Sequence, residues 1–136
     1  MTPEAMAALH ARCFDDAPRP WSAAEFAEYV ADPACLIETA DAALGVVRVV
    51  ADEAELLTIC VAPEARRGGR AAGLLDRLIE IASSRGATRM FLEVAEDNAA
   101  ARALYTRAGF TDAGYRKSYY RRASGPVGAR VMARRL

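Results

Sequence analysis

The sequence has little of what metal sites and thiol chemistry require: one histidine, His10, and three cysteines in 136 residues. The cysteines, Cys13, Cys35 and Cys60, cannot all pair, and their spacing matches no zinc-binding pattern. A catalytic cysteine is usually activated by a histidine, which only His10 could supply. We therefore predict no metal site and thiols that stay reduced in a cytoplasmic environment.

The sequence also lacks long hydrophobic runs. None approaches the roughly 20 apolar residues of a membrane-spanning helix. The first residues, MTPEAMAALHARCF, have neither the basic start nor the cleavage site of a signal peptide. Hydrophobic residues nevertheless make up 53% of the chain, which favours a globular protein over a disordered one. We expect one cytoplasmic domain over residues 1–136 and no membrane partner.

Net charge is absent as well, but the charges are unevenly spread. Residues 1–61 hold eleven acidic and three basic residues, whereas residues 62–136 hold seven acidic and fifteen basic ones. A basic second part suits a phosphate-bearing ligand, and an acidic first part could attract a cationic substrate. Alternatively, the two sets of charges mix on the folded surface, and the sequence leaves this open.

Periodicity and end signals predict ten secondary-structure elements around one mixed sheet. Thr2-Pro3 and the capping box Ser22-Ala23-Ala24-Glu25 mark two helix starts, while Gly86 and Gly109 mark two helix ends. The predicted helices cover residues 3–13, 23–30, 70–85 and 99–108. The predicted strands cover residues 35–39, 43–50, 55–61, 88–94, 111–120 and 129–135, with a hairpin loop at Ser124-Gly125-Pro126. The order ααβββαβαββ predicts an α/β sandwich.

One stretch between a strand and a helix has the composition of an anion site: Arg66, Arg67, Gly68, Gly69, Arg70, Ala71 and Ala72. The two glycines permit positive φ and close approach of a ligand to the backbone. The helix that follows presents unpaired N–H groups, and the arginines add charge and fork-shaped donors. We predict a pyrophosphate cradle here, although a glycine turn on a basic surface is the simpler alternative. No P-loop or Rossmann glycine pattern is present.

The same stretch, read as Arg66-x-x-Gly69-x-Ala71, resembles the acyl-coenzyme A loop of the GNAT superfamily of N-acetyltransferases. Further segments are similar to the bacterial ribosomal-protein-alanine N-acetyltransferases, the RimI type. They are Pro20-Trp21-Ser22, Asp52-Glu53-Ala54-Glu55-Leu56-Leu57, Leu92-Glu93-Val94, Asn98-Ala99-Ala100-Ala101, Ala103-Leu104-Tyr105, Ala108-Gly109-Phe110 and Tyr119-Tyr120. The resemblance implies a GNAT-like mixed central sheet flanked by helices. It also implies transfer of an acetyl group from acetyl-CoA to an amine, above all the N-terminal alanine amine of a ribosomal protein.

The resemblance also assigns roles to residues. Glu93 becomes the candidate base, acting directly or through water, with an outward-facing surface carboxylate as the alternative. Tyr105 becomes the candidate acid for the leaving sulfur, with a core tyrosine as the alternative. The backbone of Ile59, Cys60 and Val61 is expected to pair with the pantetheine arm and to supply a donor to the thioester oxygen. These three could also be plain buried strand. Asn98 is expected to bond the pantetheine amide while it caps its helix.

Two departures from the RimI type affect the expected specificity. Only Met1 and Thr2 precede the first helix, so the family's first strand is predicted to be short or missing. The family tends to place acidic residues at the start of its last strand, where this chain has Gly128-Ala129-Arg130. Arg121 and Arg122 lie in the preceding loop, so the hairpin that should border the acceptor groove is basic. Three alternatives stay open: a small-amine or amino-acid acetyltransferase, a non-catalytic acyl-coenzyme A sensor and, more weakly, nucleic-acid binding through the arginine-rich end. Oligomeric state is not indicated.

Overall fold

The computed structural model describes residues 1–136, and its elements follow the predicted order. The helices are α1 (Pro3–Cys13), α2 (Ala23–Ala31), α3 (Arg70–Ser84) and α4 (Ala99–Arg107). The strands are β1 (Cys35–Ala40), β2 (Ala43–Val50), β3 (Glu53–Val61), β4 (Arg89–Ala95), β5 (Thr111–Arg122) and β6 (Gly125–Arg135). A single 3-10 turn, Pro63–Ala65, lies between β3 and α3.

Three helices begin at the capping residues that the sequence indicated. The Thr2 hydroxyl accepts a hydrogen bond from the Ala5 N–H at 3.1 Å. Ser22 and Glu25 form the reciprocal capping box ahead of α2. The Asn98 side-chain oxygen accepts from the Ala101 N–H at 3.1 Å. Each cap satisfies a backbone donor that the helix itself leaves unpaired.

The six strands form one mixed sheet in the order β1-β2-β3-β4-β6-β5. Only β3 and β4 are parallel; every other neighbouring pair is antiparallel. The parallel pairing joins residues 53–56 of β3 to residues 89–92 of β4 and stops there. Beyond Leu56 and Leu92 the two strands separate, so the sheet has an opening at their carboxyl ends.

Helices cover both faces of the sheet. On one face α3 contributes Leu74, Leu75, Leu78, Ile79 and Ala82 to the larger of two buried clusters. On the other face α1 and α2 bury a smaller cluster that includes Phe26 and Cys60. The approach of α3 to β2 is close: a Cβ atom on Gly45 would lie 2.6 Å from Leu78 Cδ1. The glycine therefore sets how tightly α3 packs on the sheet.

The predicted hairpin loop at Ser124-Gly125-Pro126 is wrong in extent. Strands β5 and β6 both run further, and only Ala123 and Ser124 form the turn. Pro126 is accommodated in β6 because β4 pairs with β6 only as far as Ala129. One edge of β6 is therefore free at Pro126, and the missing N–H of proline breaks no ladder there.

The expectation of a short or missing first strand concerns the segment ahead of α1. In residues 1–136 the first element is α1, and no strand precedes it. The first strand of the sheet, β1, has six residues and is of ordinary length. None of the helices is long and apolar enough to cross a membrane.

Candidate active site

The N-terminus of α3 differs from the other helix starts because no side chain caps it. Gly69 occupies the cap position with φ of +77°, and the first turn contains no acidic residue. The first helical bond runs from the Gly73 N–H to the Gly69 carbonyl at 3.0 Å. The N–H groups of Arg70, Ala71 and Ala72 are therefore left for another acceptor. Unpaired amides at a helix N-terminus favour an anion such as a phosphate.

The loop before α3 bends differently from the prediction. Both glycines were expected to permit positive φ, but only Gly69 adopts it, and Arg67 takes φ of +69° in place of Gly68. The bend therefore begins one residue earlier than the glycine pair suggested. A Cβ atom built on Gly69 would meet nothing within 4 Å, so open space lies over the cradle.

The loop arginines divide their donors between the loop and the solvent. Arg66 Nε donates to the Val61 carbonyl at 3.0 Å, and Arg70 donates to the Ala65 carbonyl at 3.1 Å. These bonds hold the loop against the end of β3. Arg66 also contacts the Cys13 thiol. The guanidinium of Arg67 is exposed, makes no hydrogen bond or ion pair within the chain and remains available for a charged ligand.

The end of β3 forms one side of the opening in the sheet. Ile59, Cys60 and Val61 lie beyond the last pairing with β4, so their backbone has no ladder partner on that side. An extended ligand can pair with such an edge. The Cys60 side chain points away into the cluster under α1, where contact with the Cys13 thiol and burial raise its pKa. A thiol held protonated in this way packs and does not act as a nucleophile.

Glu93 lies at the opposite side of the opening, as the first residue of β4 past the parallel pairing. Its side chain is 24% exposed, so it is a half-buried group and not a freely solvated one. Its Oε1 atom lies 3.0 Å from Nε of Arg116 on β5. The role of Glu93 as a base stays a prediction, but its position at the carboxyl end of a parallel strand is where α/β sheets bind ligands.

Tyr105 is a core residue, but its hydroxyl is not fully enclosed by the core. Its side chain is only 7% exposed, belongs to the larger buried cluster and packs edge-on against Phe110 at 6.0 Å between ring centroids. Burial raises the pKa of its phenol, and nearby Tyr120 adds to the effect. The hydroxyl makes no hydrogen bond within the chain, yet the only fully enclosed side-chain atom without a partner is Arg130 Nε. The Tyr105 hydroxyl is therefore not sealed in the core.

Tyr120 lies within electrostatic reach of both candidate catalytic side chains. Burial raises its pKa, and the carboxylate of Glu93 adds to the effect. Tyr120 in turn contributes to the raised pKa of Tyr105, which places the three side chains in one electrostatic neighbourhood. In the sequence, only the weak Tyr119-Tyr120 match indicated Tyr120. No local pattern indicated Arg116.

The loop between α1 and α2 is fastened over β3 by His10. The His10 Nδ1 atom accepts a hydrogen bond from the Trp21 N–H at 3.0 Å, and Nε2 lies 2.9 Å from the Thr58 hydroxyl. Burial lowers the pKa of His10 to about 4, although nearby Glu25 opposes the effect. The imidazole is therefore neutral, with its proton on Nε2, and it serves structure without activating a cysteine.

The remaining predicted site residue, Asn98, uses its side-chain oxygen to cap α4. Its amide N–H groups make no bond within the chain and can reach a ligand. No group of three or more His, Cys, Asp or Glu side chains is placed to hold a metal ion.

Comparison with known proteins identifies the family of the chain. The profile of the acetyltransferase (GNAT) family matches residues 4–110. The [ribosomal protein bS18]-alanine N-acetyltransferase of Salmonella typhimurium is 44% identical over 92 residues, which are 68% of this chain and 62% of that protein. The match thus spans less than two thirds of the relative's length.

Solved structures extend the likeness over nearly the whole chain. The crystal structure of the ribosomal-protein-S18-alanine N-acetyltransferase from Escherichia coli superposes with a TM-score of 0.87 at 34% identity. That alignment covers 98% of this chain and 87% of the other. Arabidopsis thaliana NAA60 in complex with acetyl-CoA gives a TM-score of 0.83 at 14% identity over 98% of this chain and 93% of its own, a likeness of fold. The chain belongs to the GNAT family of acetyltransferases.

Proposed function

We propose that residues 1–136 act as one cytoplasmic, acetyl-CoA-dependent N-acetyltransferase domain. The observation that carries the proposal is the opening between β3 and β4, with Glu93 on one side and the uncapped start of α3 following the other. Both strands end at the same edge of the sheet because they are parallel. The phosphate group of a ligand can therefore bind the amide donors of α3 while its extended arm pairs with the free edge of β3 and ends near the Glu93 carboxylate.

The residues at this edge fit acetyl-CoA in charge and shape. The amides of Arg70, Ala71 and Ala72, with the turn at Gly68 and Gly69, would hold the pyrophosphate. The guanidinium groups of Arg66, Arg67 and Arg70 complement its charge. Ile59, Cys60 and Val61 would line the pantetheine arm, and the Asn98 amide would donate to it. Bound there, acetyl-CoA supplies an acetyl group activated as a thioester.

The two candidate catalytic side chains would manage the protons. An ammonium has no lone pair, so the acceptor amine must lose a proton, which Glu93 takes directly or through one water. A backbone N–H near Ile59 to Val61 would donate to the thioester oxygen as negative charge develops on it. The Tyr105 phenol stays protonated because burial raises its pKa, so it can donate to the departing sulfur.

The acceptor that we propose is the N-terminal alanine amine of a ribosomal protein. Relatives of the chain bear names that specify this acceptor. A physical argument points the same way: an α-amine has a pKa of about 8, whereas a lysine amine has one of about 10.4. Deprotonating lysine at neutral pH costs about 3 kcal/mol more, at roughly 1.4 kcal/mol per pH unit. A single half-buried carboxylate is better matched to the α-amine.

A peptide assay tests this function. One peptide begins with alanine and arginine; a second has the same sequence with a blocked N-terminus and a free lysine. We expect acetylation of the first nitrogen of the first peptide and little of the second, with mass spectrometry locating the product. Glu93→Gln should lower the rate most at low pH, where the amine is most protonated. Acetylation mainly on lysine or on small amines would overturn the acceptor, and binding without any turnover would indicate a sensor.

A further inference from the structure

The outer half of the β5–β6 hairpin has no strand support on one side. Strand β4 pairs with β6 only up to Ala129, and one more bond joins the Glu96 N–H to the Gly128 carbonyl at 2.8 Å. From Tyr120 to Val127 the hairpin pairs only with itself. Its position relative to the opening must therefore be set by side-chain contacts.

Arg122 supplies the principal contacts. Its Nε atom donates to the Ala17 carbonyl, in the loop between α1 and α2, at 2.7 Å. Its Nη1 atom forms an ion pair with Asp97, which follows β4 and precedes α4. Its guanidinium also lies over the Tyr120 ring, 5.9 Å from the centroid. Although it is an arginine near a hairpin tip, its side chain is only 19% exposed.

A backbone bond beside Arg122 strengthens the same junction. The Ala123 N–H donates to the Asp16 carboxylate at 3.0 Å. The hairpin tip is thus joined to the α1–α2 loop by one main-chain and one side-chain donor. That loop is itself tied to β3 through His10 and Thr58.

These contacts close a ring around the opening in the sheet. From β3 the ring passes through His10 to the α1–α2 loop, through Arg122 to the hairpin, and along β6 to β4. Tyr120, which lies under the Arg122 guanidinium and within electrostatic reach of the candidate base Glu93, is carried by the unsupported part of the hairpin. Movement of that part would therefore move Tyr120 relative to Glu93.

We propose that Arg122 is a positioning residue that sets the acceptor entry by holding the outer hairpin against the α1–α2 loop and Asp97. This role rests on the proposed acetyl transfer, since it concerns how the acceptor reaches the same site. Arg122 touches neither the α3 cradle nor the edge of β3, so we expect its loss to affect coenzyme A binding far less than acceptor binding. Loss of its contacts would leave the binding-competent arrangement only partly populated, which weakens acceptor binding in proportion.

The test compares Arg122→Ala with Arg121→Ala. Arg121 is an exposed neighbour on the same strand with no ion pair or hydrogen bond from its side chain, so its removal changes the hairpin charge by the same amount. With a peptide that begins with alanine as the acceptor, Arg122→Ala should raise its KM about tenfold relative to Arg121→Ala. That factor is typical of a lost hydrogen bond to a charged group. The kcat and the Kd for coenzyme A should change little.

Two further measurements separate positioning from general structure. Arg122→Lys keeps a charge for Asp97 but loses the fork that reaches Ala17, and we expect an intermediate KM. Amide exchange at Ala123 should quicken in Arg122→Ala while exchange in α3 stays slow. An unchanged acceptor KM, or equal effects on coenzyme A binding, would overturn the positioning role alone. Absence of turnover by the unaltered chain on any acceptor would overturn the proposed function, and the positioning role with it.

Discussion

Arg116 Nε lies 3.0 Å from Glu93 Oε1, although β6 separates the strands that carry them. Because Arg116 is 56% exposed and also lies over the Tyr119 ring at 5.4 Å, its contribution to folding should be small. We expect a larger effect on the site, because the guanidinium can hold the Glu93 carboxylate in one orientation.

Arg116→Ala should lower kcat by about ten- to hundredfold, because a misoriented base loses much of its catalytic effect. The melting temperature should stay within a degree or two of the unaltered chain. Lys117→Ala, which removes an exposed neighbouring charge without touching Glu93, is the matched control. Steady-state kinetics and thermal melts check both variants. An unchanged kcat, or a large loss of stability, would show that the pair does not orient Glu93.

Tyr105→Phe should reduce turnover about 10²–10⁴-fold, the usual contribution of a general acid. Stability should change little because the hydroxyl makes no hydrogen bond within the chain and the ring keeps its packing against Phe110. Tyr115→Phe removes a hydroxyl that bonds Glu96 at 2.8 Å and tests the effect of losing a phenol elsewhere. If the Tyr105→Phe variant unfolds more easily and still acetylates its acceptor, Tyr105 serves only the core.

Gly69→Val should weaken coenzyme A binding at least tenfold, because a β-branched side chain is strained at φ of +77° and enters the space over the cradle. Gly86→Val imposes the same kind of strain, at φ of +92°, at the other end of α3. Calorimetric titration with coenzyme A compares the two. Equal losses of affinity would attribute the effect to destabilised α3 and not to the cradle.

His10 should make the protein less stable in mild acid. Its pKa is about 4 in the folded chain, below the ordinary value of 6.5, so the unfolded chain binds more protons between these values. The free energy of unfolding is therefore highest above pH 6.5, and it falls by about 3 kcal/mol at most as the pH drops towards 4. Denaturant titrations across this range measure it. His10→Gln should lose this part of the pH dependence; an identical slope in both proteins would contradict the assignment.

Local features of the site could be read from the sequence because their causes lie within a few residues. Thr2, Ser22 and Asn98 cap their helices as expected, since a cap bonds an amide only three positions away. The apolar residues at helical spacing on one face of α3 are all buried: Leu74, Leu75, Leu78, Ile79 and Ala82. Gly69 takes the left-handed conformation at the cradle, as predicted. The second residue of the loop with positive φ is Arg67 and not Gly68.

The surroundings of Glu93 depended on the tertiary structure. Strand β5 has irregularities between Asp112 and Gly114 and between Arg116 and Tyr120, and each extra residue changes which side chains share a face. Such shifts leave no local pattern, so the pairing of Arg116 with Glu93 could not be predicted.

The amino-acid sequence alone therefore determined the helices, the strands and the cradle, because short-range backbone chemistry governs each of these. It also carried the motifs on which the resemblance to a family rests. The sheet order and strand register decided that Glu93, Tyr105 and Tyr120 share one neighbourhood. They also decided that Arg122 joins the hairpin to Ala17 and Asp97. These relationships join residues that are distant along the chain, and only packing of the completed sheet brings them together.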